Sequence, residues 1–232
     1  NSVHRGVMHR TAQVSRMGRM KREKVHLEFW KEDKWKRVQS SAIYEYASTA
    51  HFRMENWNDQ QPVPFRVVMK DGNEMGEWKG TIRKDPKNKK TIKLAALSCM
   101  KDGAFPNQYL QQNILAQNPD VLFFAGDQLY ESNGGYGIVR AYKLADVPRA
   151  SLNYLQKYWI FGWSFRDAMK DRPSVVIPDD HDVYHGNIWG LGGGPVPEGG
   201  SRGSDGGYEM HPEWVRMVER TQVANLPDPY DP

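Results

Sequence analysis

The chain has 232 residues, of which 39% are hydrophobic and 12% aromatic, which excludes a disordered polypeptide and leaves room for one large packed domain or two smaller ones. Its longest strongly apolar stretch, VLFFA at 121–125, is far shorter than a bilayer requires, so no transmembrane helix is expected. The net charge of +4 is lopsided: residues 1–40 carry +7 and the remainder −3, which argues against a polyanion-binding surface spread over the whole protein.

Residues 1–24 contain the basic run HRTAQVSRMGRMKREK, which lacks the apolar core of a signal peptide and reads as a solvated arm or linker. The first residue is Asn rather than Met, consistent with a chain processed or cut upstream. Over 25–90 the pattern alternates or is rich in β-formers, with turn residues between the runs: VHLEFW, then KEDK turning into WKRVQS, then TAHFRMENW, PFRVVMKDG and GEWKGTIRK. This predicts an antiparallel β-domain, for which a sandwich is one form.

At Thr91 the rhythm changes. TIKLAALSC predicts a buried strand, and PNQYLQQNILAQNP a helix carrying Leu110, Ile114 and Leu115. DVLFFAGD predicts a second buried strand. A long helix is predicted from about Arg149 to Asp171, with Leu152, Leu155, Trp159 and Phe165 on related faces, and SVVIP predicts a third strand. The β-α-β-α-β order is that of a parallel sheet, whose ligands gather beyond the carboxyl ends of the strands. Residues 186–207 hold ten glycines and read as a loop beside those ends.

Each predicted strand runs into chemistry-bearing residues: Cys99, then Asp127 and Tyr130, then Asp179-Asp180-His181-Asp182, with His185 close behind. Taken singly, each has a plain reading. A lone cysteine is usually a small buried hydrophobe, GDQLYE can be a strand-to-turn exit, and DDHD can be an acidic helix start. Taken together they form a donor set for cations. Crowded carboxylates raise one another's pKa unless a cation offsets them. A thiolate with a phenolate favours trivalent iron, and adjacent oxygen donors suit calcium.

The set LSC, GDQLYE and DDHD, at these spacings and strand ends, resembles the PhoD-like (alkaline phosphatase D) family of metallophosphatases, within the calcineurin-like metallophosphoesterase superfamily. The resemblance implies an α/β fold in which the antiparallel β-domain of 25–90 precedes the first part of a metallophosphatase-type α/β sandwich over 91–232. It also implies that Cys99 and Tyr130 ligate Fe(III), that Asp127 bridges to a second metal, expected to be Ca(II), and that Asp180 ligates that second metal. His181 would contact phosphate or protonate the leaving oxygen, with Asp179 or Asp182 orienting it. The activity implied is hydrolysis of small-molecule phosphate esters, with nucleic acid entering only as a phosphodiester substrate. The location implied is extracytoplasmic. Family members continue past the equivalent of Pro232, so further metal-binding Asp and His residues are expected from a carboxyl-terminal half. The rival expectation is a non-catalytic metal-binding or cell-surface adhesion module built on the same fold.

Overall fold

A computed structural model of the chain describes residues 1–15, 23–71, 74–184, 198–200 and 206–227. It is a mixed α/β structure: a curled antiparallel sheet of seven strands, a three-stranded parallel sheet, and three α-helices among the described residues. The glycine-rich segment from 186 lies outside the described residues except for 198–200 and 206–207, as does His185.

The large sheet comprises β1 (Ser2–His4), β2 (Val7–Gln13), β3 (Lys24–Lys31), β4 (Lys34–Tyr44), β5 (Thr49–Met54), β6 (Val63–Asp71) and β7 (Glu74–Ile82), in the order β1-β2-β5-β4-β3-β6-β7. The KEDK turn is a two-residue hairpin: Glu32 and Asp33 have φ of 52° and 54°, the left-handed pair that matches the twist of flanking strands. Strand β4 is long enough to pair with β3 through its first part and β5 through Ile43 and Tyr44. The sheet therefore folds over itself. Met8 and Phe52 from one side share a core with Val25, Leu27, Phe29, Phe65 and Ile82 from the other. The β-domain thus encloses its core with one curled sheet rather than two stacked ones.

Residues 1–24, read from sequence as a solvated arm, contain two of these strands. Strand β2 pairs with β5 over six residues and buries Met8, His9 and Arg10, the Arg10 guanidinium lying over the Phe65 ring. Burial of three successive residues where the sheet curls removes the alternation by which a half-buried strand is recognised.

The parallel sheet is β8 (Leu94–Leu97), β9 (Val121–Ala125) and β10 (Ser174–Ile177), with β9 central. Helix α1 (Gln108–Gln117) links β8 to β9, and α2 (Val147–Met169) lies between β9 and β10. The buried stripe of α2 is Val147, Ala150, Tyr154, Leu155, Tyr158, Phe161, Phe165 and Ala168, whereas Leu152 is exposed. On α1 Ile114 is buried and Leu110 exposed. Register places Ala95, Leu97, Leu122, Phe124, Ser174 and Val176 on one face, against this helical core. Leu94, Ala96, Val121, Phe123, Ala125, Val175 and Ile177 form the other face, and none of them is fully buried.

An element without a counterpart in the sequence reading, α3 (Pro212–Gln222), completes the core. Pro212 occupies its first turn, the His211 ring accepts from the Glu213 N–H, and Trp214, Val215, Met217 and Val218 are buried. The two parts of the chain meet at Gly80. A Cβ there would stand 2.6 Å from the Lys170 carbonyl oxygen at the end of α2, while the neighbouring Thr81 N–H donates to Asp171.

Candidate metal centre

All three strands of the parallel sheet end on the same edge, and backbone geometry turns their tips toward one another. Past β8, Cys99 has φ of 59°, and past β9, Gly126 and Asp127 have φ of 88° and 54°. The left-handed region costs energy for a residue with a side chain, so two such residues at facing tips mark a conformation enforced by surrounding contacts. Those contacts are visible: the Cys99 N–H donates to the Gly126 carbonyl at 3.2 Å and the Met100 N–H to the Asp127 carbonyl at 2.7 Å. Gly126 also makes room for the third tip. A Cβ on it would lie 2.5 Å from the Asp179 Cβ.

The four residues expected to ligate metal come together. Cys99 Sγ is 3.7 Å from Asp127 Oδ2, and the Tyr130 ring lies 4.2 Å from the His181 ring, centroid to centroid. Ligand atoms of Asp127, Asp180 and His181 all lie within 4.8 Å of one another. Asp127 is buried, and its second oxygen, Oδ1, has no hydrogen-bond partner among the described residues. A buried carboxylate with one oxygen unpartnered, on a residue grouped with a thiol, a second carboxylate and an imidazole, fits a cation. Burial, and then the neighbouring Cys99 and Asp127, push the Tyr130 phenol above its ordinary pKa. That sign holds for the residues alone. A Lewis acid at the same point reverses it, because a coordinated phenol or thiol loses its proton.

The DDHD segment divides its labour. Asp180 faces Asp127 and His181. Asp182 points inward and is fully buried. It accepts from the backbone N–H groups of Asp127 (2.8 Å), Gln128 (3.1 Å) and Asp179 (2.9 Å), and from the Gln222 amide (2.8 Å). Burial raises its pKa to about 7, against the opposing pull of those donors and with a further push from Asp127. Asp182 therefore ties the β9 tip, the β10 tip and α3 together. Asp179 packs its Cβ against Gly126 and accepts from the Asp180 N–H. The carboxylate that holds His181 belongs to Glu131, the last residue of GDQLYE: its Oε2 is 2.8 Å from His181 Nδ1. The Tyr130 ring packs against the imidazole with centroids 4.2 Å apart. Burial lowers the His181 pKa, but the Glu131 bond and the charges of Glu131, Asp180 and Asp127 outweigh it, leaving a net rise.

Sequence reasoning did not single out Glu131, Gln128 or Gln222. Glu131 lies 50 residues from His181, and Gln222 lies 40 from Asp182, so their roles exist only through the fold. The one local signal was the position of Glu131 directly after a proposed ligand.

No protein-family model matches the chain, and no curated protein matches it. No helix among the described residues is long and apolar enough to cross a membrane.

Proposed function

We propose that this chain carries the metal-binding part of a phosphoesterase of the PhoD-like type, acting on small-molecule phosphate esters. The observation that carries the reading is the gathering of Cys99, Asp127, Tyr130, Asp180 and His181 at the carboxyl ends of three parallel strands, with Asp127 Oδ1 buried and unpartnered among the described residues. On this reading Cys99, Tyr130 and Asp127 would hold Fe(III), and Asp127 with Asp180 would hold a second cation, Ca(II) by the resemblance. Bound there, the cations supply Lewis acidity toward a phosphate ester.

The chain's own residues supply binding and proton handling. With Nδ1 engaged by Glu131, His181 has Nε2 left to act, either donating a proton to the departing oxygen or contacting a phosphate oxygen. Asp182 fixes the spacing of Asp127 and Asp180 by gripping the backbone N–H groups of Asp127, Gln128 and Asp179. The buried networks beneath the site keep those carboxylates from rearranging when substrate charge arrives.

The test is spectroscopic and kinetic together. Protein that includes the carboxyl-terminal half expected from the resemblance, reconstituted with Fe(III) and Ca(II), is expected to be coloured through the tyrosinate, to lose that colour in Tyr130→Phe, and to hydrolyse nitrophenyl phosphate esters. Stoichiometric metal without hydrolysis of mono- or diesters would support the rival reading of a metal-binding module. Failure to bind iron at all would overturn the assignment of Cys99 and Tyr130.

A further inference from the structure

We propose that Glu131 is the positioning residue of His181: its carboxylate fixes the imidazole as the Nδ1–H tautomer and aims Nε2 into the metal centre. The inference deepens the phosphoesterase reading and rests on it for its catalytic meaning.

Three contacts converge on the ring. Glu131 Oε2 accepts from Nδ1 at 2.8 Å, and the Glu131 side chain is only 18% exposed, which strengthens the bond relative to one in open water. The Tyr130 ring packs on the imidazole at 4.2 Å, so the residue before Glu131 buttresses the ring that Glu131 orients. The backbone of the turn is closed by the Tyr184 N–H donating to the His181 carbonyl at 3.1 Å.

Behind this pair stands a second anchor that the proposed chemistry does not otherwise use. The fully buried Lys157 amine, on α2, donates to Asn153 Oδ1 and to the Tyr184 hydroxyl, both at 2.8 Å. Its charge and that of Glu131 attract. Through Tyr184 the buried amine holds the end of the turn that carries His181. The ring is thereby restrained through Nδ1, through its face and through its backbone. An unrestrained neutral imidazole distributes its proton between both nitrogens. With Nδ1–H committed to Glu131, Nε2 is available as a lone pair toward a cation or, when protonated, as a donor to a leaving oxygen.

The deciding experiment reads the tautomer directly. Nitrogen–proton correlation spectra of the His181 ring are recorded on the cation-free chain, at a pH where the ring is neutral, for wild type, Glu131→Gln and Glu131→Ala. Wild type is expected to carry the proton on Nδ1, Glu131→Ala to shift toward Nε2–H, and Glu131→Gln, which keeps the shape, to fall between them. A wild-type ring protonated on Nε2, or identical ring signals in all three proteins, overturns the inference whatever the activity. With metal-loaded protein that includes the carboxyl-terminal half, Glu131→Gln is expected to lower kcat on phosphate esters about 10-fold or more with little change in KM. Wild-type activity with an unchanged kcat in Glu131→Gln also overturns it. Wild-type protein that includes the carboxyl-terminal half, binds metal and shows the Glu131-dependent tautomer, yet hydrolyses no ester, instead sinks the phosphoesterase reading.

Discussion

At the residue scale, the crowding of carboxylates in DDHD is resolved by pointing them in different directions. Asp182 is spent on architecture: five donors from three parts of the chain converge on its two oxygens. Asp182→Ala would strand three buried backbone N–H groups, each costing about 1–3 kcal/mol when left unsatisfied. We expect a loss of at least about 3 kcal/mol in urea unfolding and a smaller loss for Asp182→Asn, which keeps one acceptor oxygen. Equal stability of Asp182→Ala and wild type would remove Asp182 from this role. His181 is expected to behave oppositely. In protein that includes the carboxyl-terminal half, His181→Ala should leave stability and metal content nearly unchanged while lowering turnover by about 10²-fold or more. That defect should be larger on alkyl than on nitrophenyl phosphate esters if proton donation is its main task, because nitrophenolate leaves almost unaided. An equal defect would assign it to phosphate contact.

At the scale of elements, two strands of the curled sheet meet at a histidine pair. His51 on β5 lies 3.3 Å from His9 on β2, ring nitrogen to ring nitrogen. Burial, then the positive neighbours His9, Arg220 and Arg53, lower the His51 pKa from 6.5 to about 4. The unfolded chain therefore takes up this proton near pH 6.5, whereas the folded chain resists it until about pH 4. Within that window the unfolded state binds more protons, so stability falls as pH falls. His51→Gln should flatten this part of the urea-stability profile relative to wild type, leaving the carboxylate contribution in place. An unchanged slope would show that His51 is solvated.

On the scale of the whole molecule, the parallel sheet is asymmetric. Parallel strands are ordinarily covered on both faces, yet here α1 and α2 pack on one, and among the described residues the other bears exposed Leu94 and Ile177. Adjacent positions on one strand should then differ sharply. Phe124 is fully buried between Phe161 and Phe165, and Phe124→Ala should cost about 3–5 kcal/mol. Phe123 faces the other way and is only partly buried, so Phe123→Ala should cost well under half as much in the same denaturation experiment. Comparable losses would mean that the second face is covered in solution.

Local sequence decided a good deal. The hairpin at Glu32-Asp33, the apolar strands around Ala95, Phe124 and Val176, the two crossover helices and the pile-up of ligand types after each strand are properties of short windows. Periodicity and turn chemistry act over a few residues and leave a mark there. What the window could not contain was left to the tertiary structure. Strand β2 hid inside a basic arm because its burial depends on a sheet that curls back over it, so Met8, His9 and Arg10 show no alternation. Leu110 and Leu152 lie on helices but not on their buried faces, since the buried face is set by the partner surface rather than by hydrophobicity alone. Above all, a string of letters does not distinguish the carboxylate that meets a neighbouring ligand from the one that braces the backbone. Asp180 and Asp182 differ by two positions in the chain and by opposite environments in space. The left-handed tips at Cys99 and Asp127, the space left by Gly126 and the distant amide of Gln222 are what set them apart.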